Sequence, residues 1–283
     1  MNLYNKDVNL YAGVHNALGA QLAKKKGFDG VWLSGLELSA SYGVPDTNIL
    51  PVSKLIDACN YISYNTGMEI LVDGDSGFGD FHNIIFVSKQ LQRAGASGMC
   101  IEDKVFPKKN SFHNTKQKLL DINIFKQNLK AATYSKQNND FSIVARMEGF
   151  IAGLNVEQVI ERAEMCVESG VDAIVVHSKK KDIDDIECFM KYWNKKVPVI
   201  VIPTTFFKFT VNDAHKMGIK GIIYANHQLR CSITAIEKMY DRIISDGTTE
   251  NIESSIASLE EVFELQNMDL YNKQEKLLGK ENE

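Results

Sequence analysis

The sequence predicts a closed barrel of eight parallel strands, each followed by a helix. Three observations lead there. Eight short β-branched runs recur along the chain, several of them apolar throughout, such as Ile70-Leu71-Val72 and Ile174-Val175-Val176. Amphipathic stretches of helical spacing separate them. Several of those stretches end in a glycine that opens the next run. Strands buried on both faces lose the apolar–polar alternation, and parallel sheets bury both faces. Eight such units without a break read as a closed barrel, with a doubly wound open sheet as the second choice.

In chain order the candidate strands are 8–14, 30–34, 69–73, 98–102, 142–147, 173–177, 198–202 and 221–224. Between the fifth and sixth, Val156, Val159, Ile160, Ala163 and Val167 repeat at spacings of three and four, a helical stripe. Gly27, Gly95, Gly170 and Gly218 each follow such a stretch, where a left-handed residue closes a helix. Two segments fall outside the alternation. Segment 104–121 is a polar insertion after the fourth strand, rich in Lys and Asn, and reads as a lid. Segment 251–283 carries Ile252, Ile256, Leu259, Val262, Phe263 and Leu265 as an apolar stripe. That stripe needs cover from the barrel or from a neighbouring subunit. The expected organisation is a catalytic barrel over 1–250 and a helical extension over 251–283, with the last four residues frayed.

At 283 residues and 44% hydrophobic, the chain can fill one sizeable core. A net charge of −4 argues against a nucleic-acid partner, which would select a basic face. Cys59, Cys100, Cys166, Cys188 and Cys231 show no C-x-x-C spacing and read as small buried groups in a reducing cytosol. No apolar run approaches the roughly 18 residues of a membrane span, and the first residues lack a signal-peptide pattern. The expectation is a cytoplasmic protein with a small-molecule substrate.

Catalytic groups of such barrels stand at the C-terminal ends of the strands, and polar residues gather there. The second strand ends in Trp32-Leu33-Ser34-Gly35-Leu36, the third in Asp73-Gly74-Asp75, the fourth in Glu102-Asp103-Lys104, the fifth in Arg146-Met147-Glu148 and the sixth in His177-Ser178. Asp73, Asp75 and Glu102 are three carboxylates on adjacent strands. A few hard oxygens with room for water suit Mg²⁺ better than Zn²⁺. The plain alternative is a turn at Asp75 and a Glu102–Lys ion pair. Arg146, closing an apolar strand, offers a planar fork to a carboxylate or phosphoryl group, or else pairs internally with Glu148 or Asp73. His177 closes another buried run, where a lone histidine is more often a satisfied structural residue than a ligand. Ser34, Gly35 and Leu36 offer backbone N–H groups to an anion, or form an ordinary turn. Asp46 is an acid in a loop above the same rim, or a turn residue. Lys179, Lys180 and Lys181 read as a solvated face before an N-cap at Asp182.

These residues also carry a resemblance. The run from Glu102 to Ser111 fits the pattern E-D-K-x(5)-N-S without a mismatch. Trp32-Leu33-Ser34-Gly35-Leu36, Asp73-Gly74-Asp75 and His177-Ser178-Lys179-Lys180 match in order and spacing. In these motifs, and over nearly its whole length, the chain resembles the phosphoenolpyruvate mutase family of the isocitrate lyase superfamily. The resemblance implies Mg²⁺ held mainly by Asp73, with Asp75 and Glu102 acting largely through water. It implies a substrate carboxylate on Ser34, Gly35 and Leu36, with Trp32 beside it, and Arg146 and His177 on carboxylate or phosphoryl oxygens. Lys108, Asn110 and Ser111 would lie on a gating loop over the phosphoryl group, and Asp46 would face the transferring phosphorus. The implied reaction interconverts phosphoenolpyruvate and phosphonopyruvate. The implied assembly is a dimer or tetramer, with C-terminal helices exchanged between barrels. Phosphonopyruvate hydrolases are near rivals; they typically carry Thr where this chain has Asn110. The C–C lyases of the superfamily carry a K-K-C-G-H loop, which Lys104-Val105-Phe106-Pro107-Lys108 does not match. A non-catalytic barrel would not need the intact set of acids, Arg146 and His177. Leu33, and Ser76-Gly77-Phe78, depart mildly from the family pattern without removing a charge.

Overall fold

Because side chains alternate across a strand, each of these strands puts one set of residues inside the barrel and the other against the helices. A computed structural model describes residues 1, 3, 6–108, 111, 117–194 and 196–279. The first half of the chain runs β1 (Asn9–Val14), α1 (Ala17–Lys25), β2 (Gly30–Leu33), α2 (Gly35–Ser41), α3 (Val52–Thr66), β3 (Glu69–Asp73), α4 (Phe81–Arg93), β4 (Gly98–Glu102) and α5 (Ile122–Tyr134). It continues through β5 (Ser142–Met147), α6 (Gly149–Ala152), α7 (Val156–Val167), β6 (Ala173–Val176), α8 (Asp184–Tyr192), β7 (Val199–Val201), α9 (Val211–Met217), β8 (Gly221–Tyr224) and α10 (His227–Asp246). A 3₁₀ turn (Glu253–Ser255), α11 (Leu259–Leu265) and α12 (Met268–Leu278) follow.

The eight strands pair in sequence order, all parallel, and β8 closes on β1. This is the expected (β/α)8 barrel, not the open sheet. Glycines 27, 95, 170 and 218 have φ of +84°, +88°, +83° and +74°, as their place after helices requires. Some strand ends are shorter than the apolar runs implied. Ser34 leaves the ladder to cap α2, its Oγ accepting the Glu37 N–H at 3.2 Å. The sixth strand stops at Val176, before His177. The cap expected at Asp182 is displaced: α8 starts after Ile183, and Asp182 accepts only a 3.3 Å bond from Asp184 N–H.

The core has two layers. Tyr11, Trp32, Leu71, Cys100, Val144, Val175, Ile200 and Ile223 fill the barrel interior. Their strand neighbours, such as Val31, Val72, Ile101, Ala145 and Val176, pack against the helices. Two residues beyond each interior residue lies another of the same parity. Those positions are Gly13, Ser34, Asp73, Glu102, Arg146, His177, Ile202 and Ala225, a ring at the barrel mouth that period-two geometry alone assembles.

The chain divides into two compact units, Met1–Gln228 and Leu229–Glu283. The sequence reading drew its boundary near 250. The break comes earlier because α10 buries no residue along its length. The second unit exposes Ile236, Tyr240, Ile244, Leu259, Phe263, Leu270, Tyr271, Leu277 and Leu278. Lys280 to Glu283, expected to fray, lie outside the described residues. No described helix is long and apolar enough to cross a membrane. Of the five cysteines, Cys59, Cys100 and Cys166 are buried, but Cys188 and Cys231 are exposed. Both stand on outward positions of α8 and α10, which correct the all-buried reading.

Candidate active site

One pocket opens at the C-terminal mouth. Trp32, Ser34, Leu36, Asp46, Asp73, Lys108, Ser111, Arg146 and His177, all chosen from sequence, line it together with Ile202, Thr204, Ala225 and Asn226. Gly35 and Asp75 line an adjoining pocket that shares Asp46 and Asp73. Glu102 is buried and sits 3.8 Å from Arg146 Nε, its register partner on β5. Asn110 lies outside the described residues.

The acids cluster around a single ammonium. Lys108 Nζ approaches Asp46 Oδ2 at 3.1 Å and Asp73 Oδ2 at 3.6 Å, and bonds Asp75 Oδ1 closely. Lys108 arrives from the long segment after β4, past a cis Phe106–Pro107 peptide. The base of that segment is pinned by an antiparallel bridge between Lys104 and Leu119. Asn48 ties the Asp46 loop to it: its carboxamide donates to Asp75 Oδ2 at 2.7 Å and accepts the Lys108 N–H at 2.6 Å. Asn48 and Asp75 hold φ of +60° and +47°. Such conformations cost of order 1 kcal/mol and collect at functional sites.

A second network lies across the pocket, centred on Glu148, which is fully buried. Its Oε1 takes the Arg146 Nε–H at 2.6 Å and lies 2.6 Å from His177 Nδ1. Its Oε2 accepts the Ser111 hydroxyl at 2.7 Å and lies 3.6 Å from Lys104 Nζ. Lys104 in turn donates to Ser111 Oγ at 2.8 Å. The Glu148 backbone is held from below, its N–H bonding Asp103 Oδ1 at 2.8 Å, while Arg162 closes on Asp103 Oδ2 at 2.9 Å. The internal pairing considered for Arg146 is therefore present, with Glu148 and not Asp73 as partner. The pairing leaves Arg146 lining the pocket.

The electrostatics follow from burial. Five buried carboxylates (Asp46, Asp73, Asp75, Glu102, Glu148) meet three buried cations (Lys104, Lys108, Arg146). Burial pushes Asp75 up to about 6, against the pull of Lys108, and pushes Glu102 up to about 7. Burial also works against the Glu148 charge, yet Arg146 and His177 hold its carboxyl well below the usual range. Burial lowers His177, favouring the neutral imidazole.

Five carboxylates against three cations leave the cluster short of positive charge, and that shortage tests the fit of a divalent cation. Neither Glu102 oxygen has a hydrogen-bond partner. A side chain on Gly35 would place its Cβ 3.4 Å from Asp73 Oδ2, 3.5 Å from Asp75 Oδ1 and 3.7 Å from Asp46 Oδ1, so the glycine keeps a space open before the acids. Among the described residues no three ligating side chains form a ready-made cage. Mg²⁺ needs none, since it keeps several waters and takes one or two carboxylates. The donor set fits such an ion.

Sequence reasoning missed Glu148, Asn48, Lys104, Thr204 and Asn226 as site residues. Glu148 was within reach, being two residues beyond Arg146 on the inward parity. Asn48 and Asn226 carry no periodic signal.

The model of the phosphoenolpyruvate phosphomutase family matches residues 3–244. The chain belongs to the phosphoenolpyruvate phosphomutase family. Its relatives in that family include the phosphoenolpyruvate phosphomutase of Tetrahymena pyriformis, 38% identical over 94% of this chain and 89% of that protein. A crystal structure of the phosphomutase from Streptomyces platensis subsp. rosaceus superposes with a TM-score of 0.96 at 36% identity, covering 98% of this chain and 97% of that one. The phosphonopyruvate hydrolase of Variovorax sp. (strain Pal2) is 39% identical over 89% of this chain and 88% of its own. A phosphonopyruvate hydrolase solved with oxalate and Mg²⁺ superposes at a TM-score of 0.90, with 36% identity, covering 95% and 93%. Overall identity therefore does not separate mutase from hydrolase.

Proposed function

We propose that this chain is a cytoplasmic, Mg²⁺-dependent mutase that interconverts phosphoenolpyruvate and phosphonopyruvate. One observation carries the reading: the pocket that gathers Asp46, Asp73, Arg146 and His177 also draws in Lys108 and Ser111 from the segment after β4. Family membership and the E-D-K-x(5)-N-S run support it.

In the reaction the enol oxygen–phosphorus bond breaks and a bond from phosphorus to C3 of the same molecule forms. Asp73, with Asp75 and Glu102, would hold Mg²⁺, which would supply positive charge to the enolate and carboxylate oxygens. Arg146 lies where it can neutralise oxygen charge, oriented by Glu148. The Ser34–Leu36 backbone receives the carboxylate end. Lys108 and Ser111 meet the phosphoryl group, and Asp46 faces the phosphorus. Loose phosphoryl transfer depends on positioning more than on covalent help. It also requires that water be kept out, which a segment closing over the pocket provides. Phosphonopyruvate hydrolysis is the second reading, favoured by the 39% identical relative. The exposed apolar side chains of the second unit are assigned to subunit contact, in a dimer or tetramer with exchanged helices.

The test is a coupled assay that detects phosphoenolpyruvate formed from phosphonopyruvate. Turnover is expected with Mg²⁺, is lost in EDTA and returns when Mg²⁺ is restored. Release of phosphate alone would select the hydrolase. Turnover indifferent to EDTA would remove the metal from the account.

A further inference from the structure

Asn226 stands directly before α10, in the position where an asparagine ordinarily caps a helix. The chain shows that use elsewhere. Asn16 accepts the Gly19 N–H at 2.8 Å to cap α1, and Asn155 accepts the Gln158 N–H at 3.0 Å to cap α7. Asn226 caps nothing. Its Oδ1 is buried without a hydrogen-bond partner, the residue is only 7% exposed, and it lines the pocket at the barrel mouth. A buried carboxamide oxygen without a partner is costly and calls for an explanation. The explanation lies in what the pocket receives. The side that follows β2–β5 carries its acids and cations, whereas the β7–β8 side offers Ile202, Ala225, Thr204 and Asn226. A half-turn of the carboxamide exchanges its oxygen and its NH2, and on that neutral side the NH2 then gives an anion a hydrogen-bond donor without adding charge to a crowded site.

We infer that Asn226 is a substrate-binding residue whose carboxamide hydrogen-bonds an oxygen of the bound 2-oxo acid from the β7–β8 wall. The inference rests on the function proposed above. It separates Asn226 from a capping role, because its Oδ1 accepts no hydrogen bond from α10.

The experiment measures steady-state kinetics on phosphonopyruvate with Mg²⁺ for the full chain and for Asn226→Ala and Asn226→Asp, with melting temperatures alongside. Loss of one hydrogen bond to a charged oxygen should raise KM about 10-fold in Asn226→Ala, with a smaller change in kcat and unchanged melting. The isosteric Asn226→Asp should raise KM further, on the order of 100-fold, because it sets a carboxylate against an anion. Wild-type KM in Asn226→Asp, or wild-type KM in both variants, overturns the inference and leaves the proposed function standing. Melting that drops in both variants without a change in KM assigns Asn226 to the fold and also overturns it. A wild-type chain that does not turn over phosphonopyruvate removes the proposed function, and this inference falls with it.

Discussion

Glu148 offers the sharpest test of how the site is held. Glu148→Gln keeps the shape and removes the charge. The buried carboxylate now faces Arg146 at 2.6 Å, His177 at 2.6 Å, the Ser111 hydroxyl at 2.7 Å and Lys104 at 3.6 Å. Without it Arg146 loses its nearest counter-charge, and Lys104 loses the carboxylate at 3.6 Å while keeping Glu102 at 3.4 Å. Breaking one side of a buried ion pair costs about 3–5 kcal/mol. Unfolding entropy near 2 cal/mol/K per residue, taken over the first unit, Met1–Gln228, amounts to about 0.5 kcal/mol/K. The melting midpoint should therefore fall by about 6–10 °C. Calorimetry or fluorescence melting reads this directly. Turnover should fall as well, since Arg146 and His177 lose their anchor. A midpoint within about 2 °C of wild type would refute the reasoning. It would mean that solvent or neighbouring groups already compensate these charges.

Three further outcomes follow from the same structure. Asp46→Ala should abolish turnover of phosphonopyruvate while the protein still melts cooperatively; retained turnover would remove Asp46 from the chemistry. His177 has its pKa lowered by burial, so below about pH 6.5 the unfolded chain takes up a proton that the folded chain resists. That part of the stability is present above pH 6.5 and is lost as pH falls, so melting curves of His177→Asn should lose less between pH 7 and 5 than those of wild type. With a thiol reagent, Cys188 and Cys231 should react at once. Cys59, whose thiol burial pushes up to about 12, should react with Cys100 and Cys166 only on unfolding.

The barrel was legible because its signal is periodic and local. Doubly buried strands read as apolar runs, and glycines marked the helix ends. The mouth was legible for the same reason: parity carries Trp32 to Ser34, Leu71 to Asp73, Cys100 to Glu102, Val144 to Arg146 and Val175 to His177. What escaped lies mostly where the chain leaves its period. Glu148 keeps the inward parity and is a candidate partner of Arg146 in the sequence, but its place at the centre of a buried network shows only in the structure. The Asn48–Lys108 bond joins loops 60 residues apart, and no spacing announces it. Asn226 looks like a helix cap and is not one. The early break at Gln228 goes with an α10 that buries no residue, which its amphipathic pattern does not reveal.

Phosphorus NMR of the purified chain with phosphonopyruvate and Mg²⁺ tests the central claim most directly. The account predicts that the phosphonate signal gives way to a phosphoenolpyruvate signal. Inorganic phosphate appearing with no phosphoenolpyruvate, or an unchanged phosphonopyruvate signal, would contradict it.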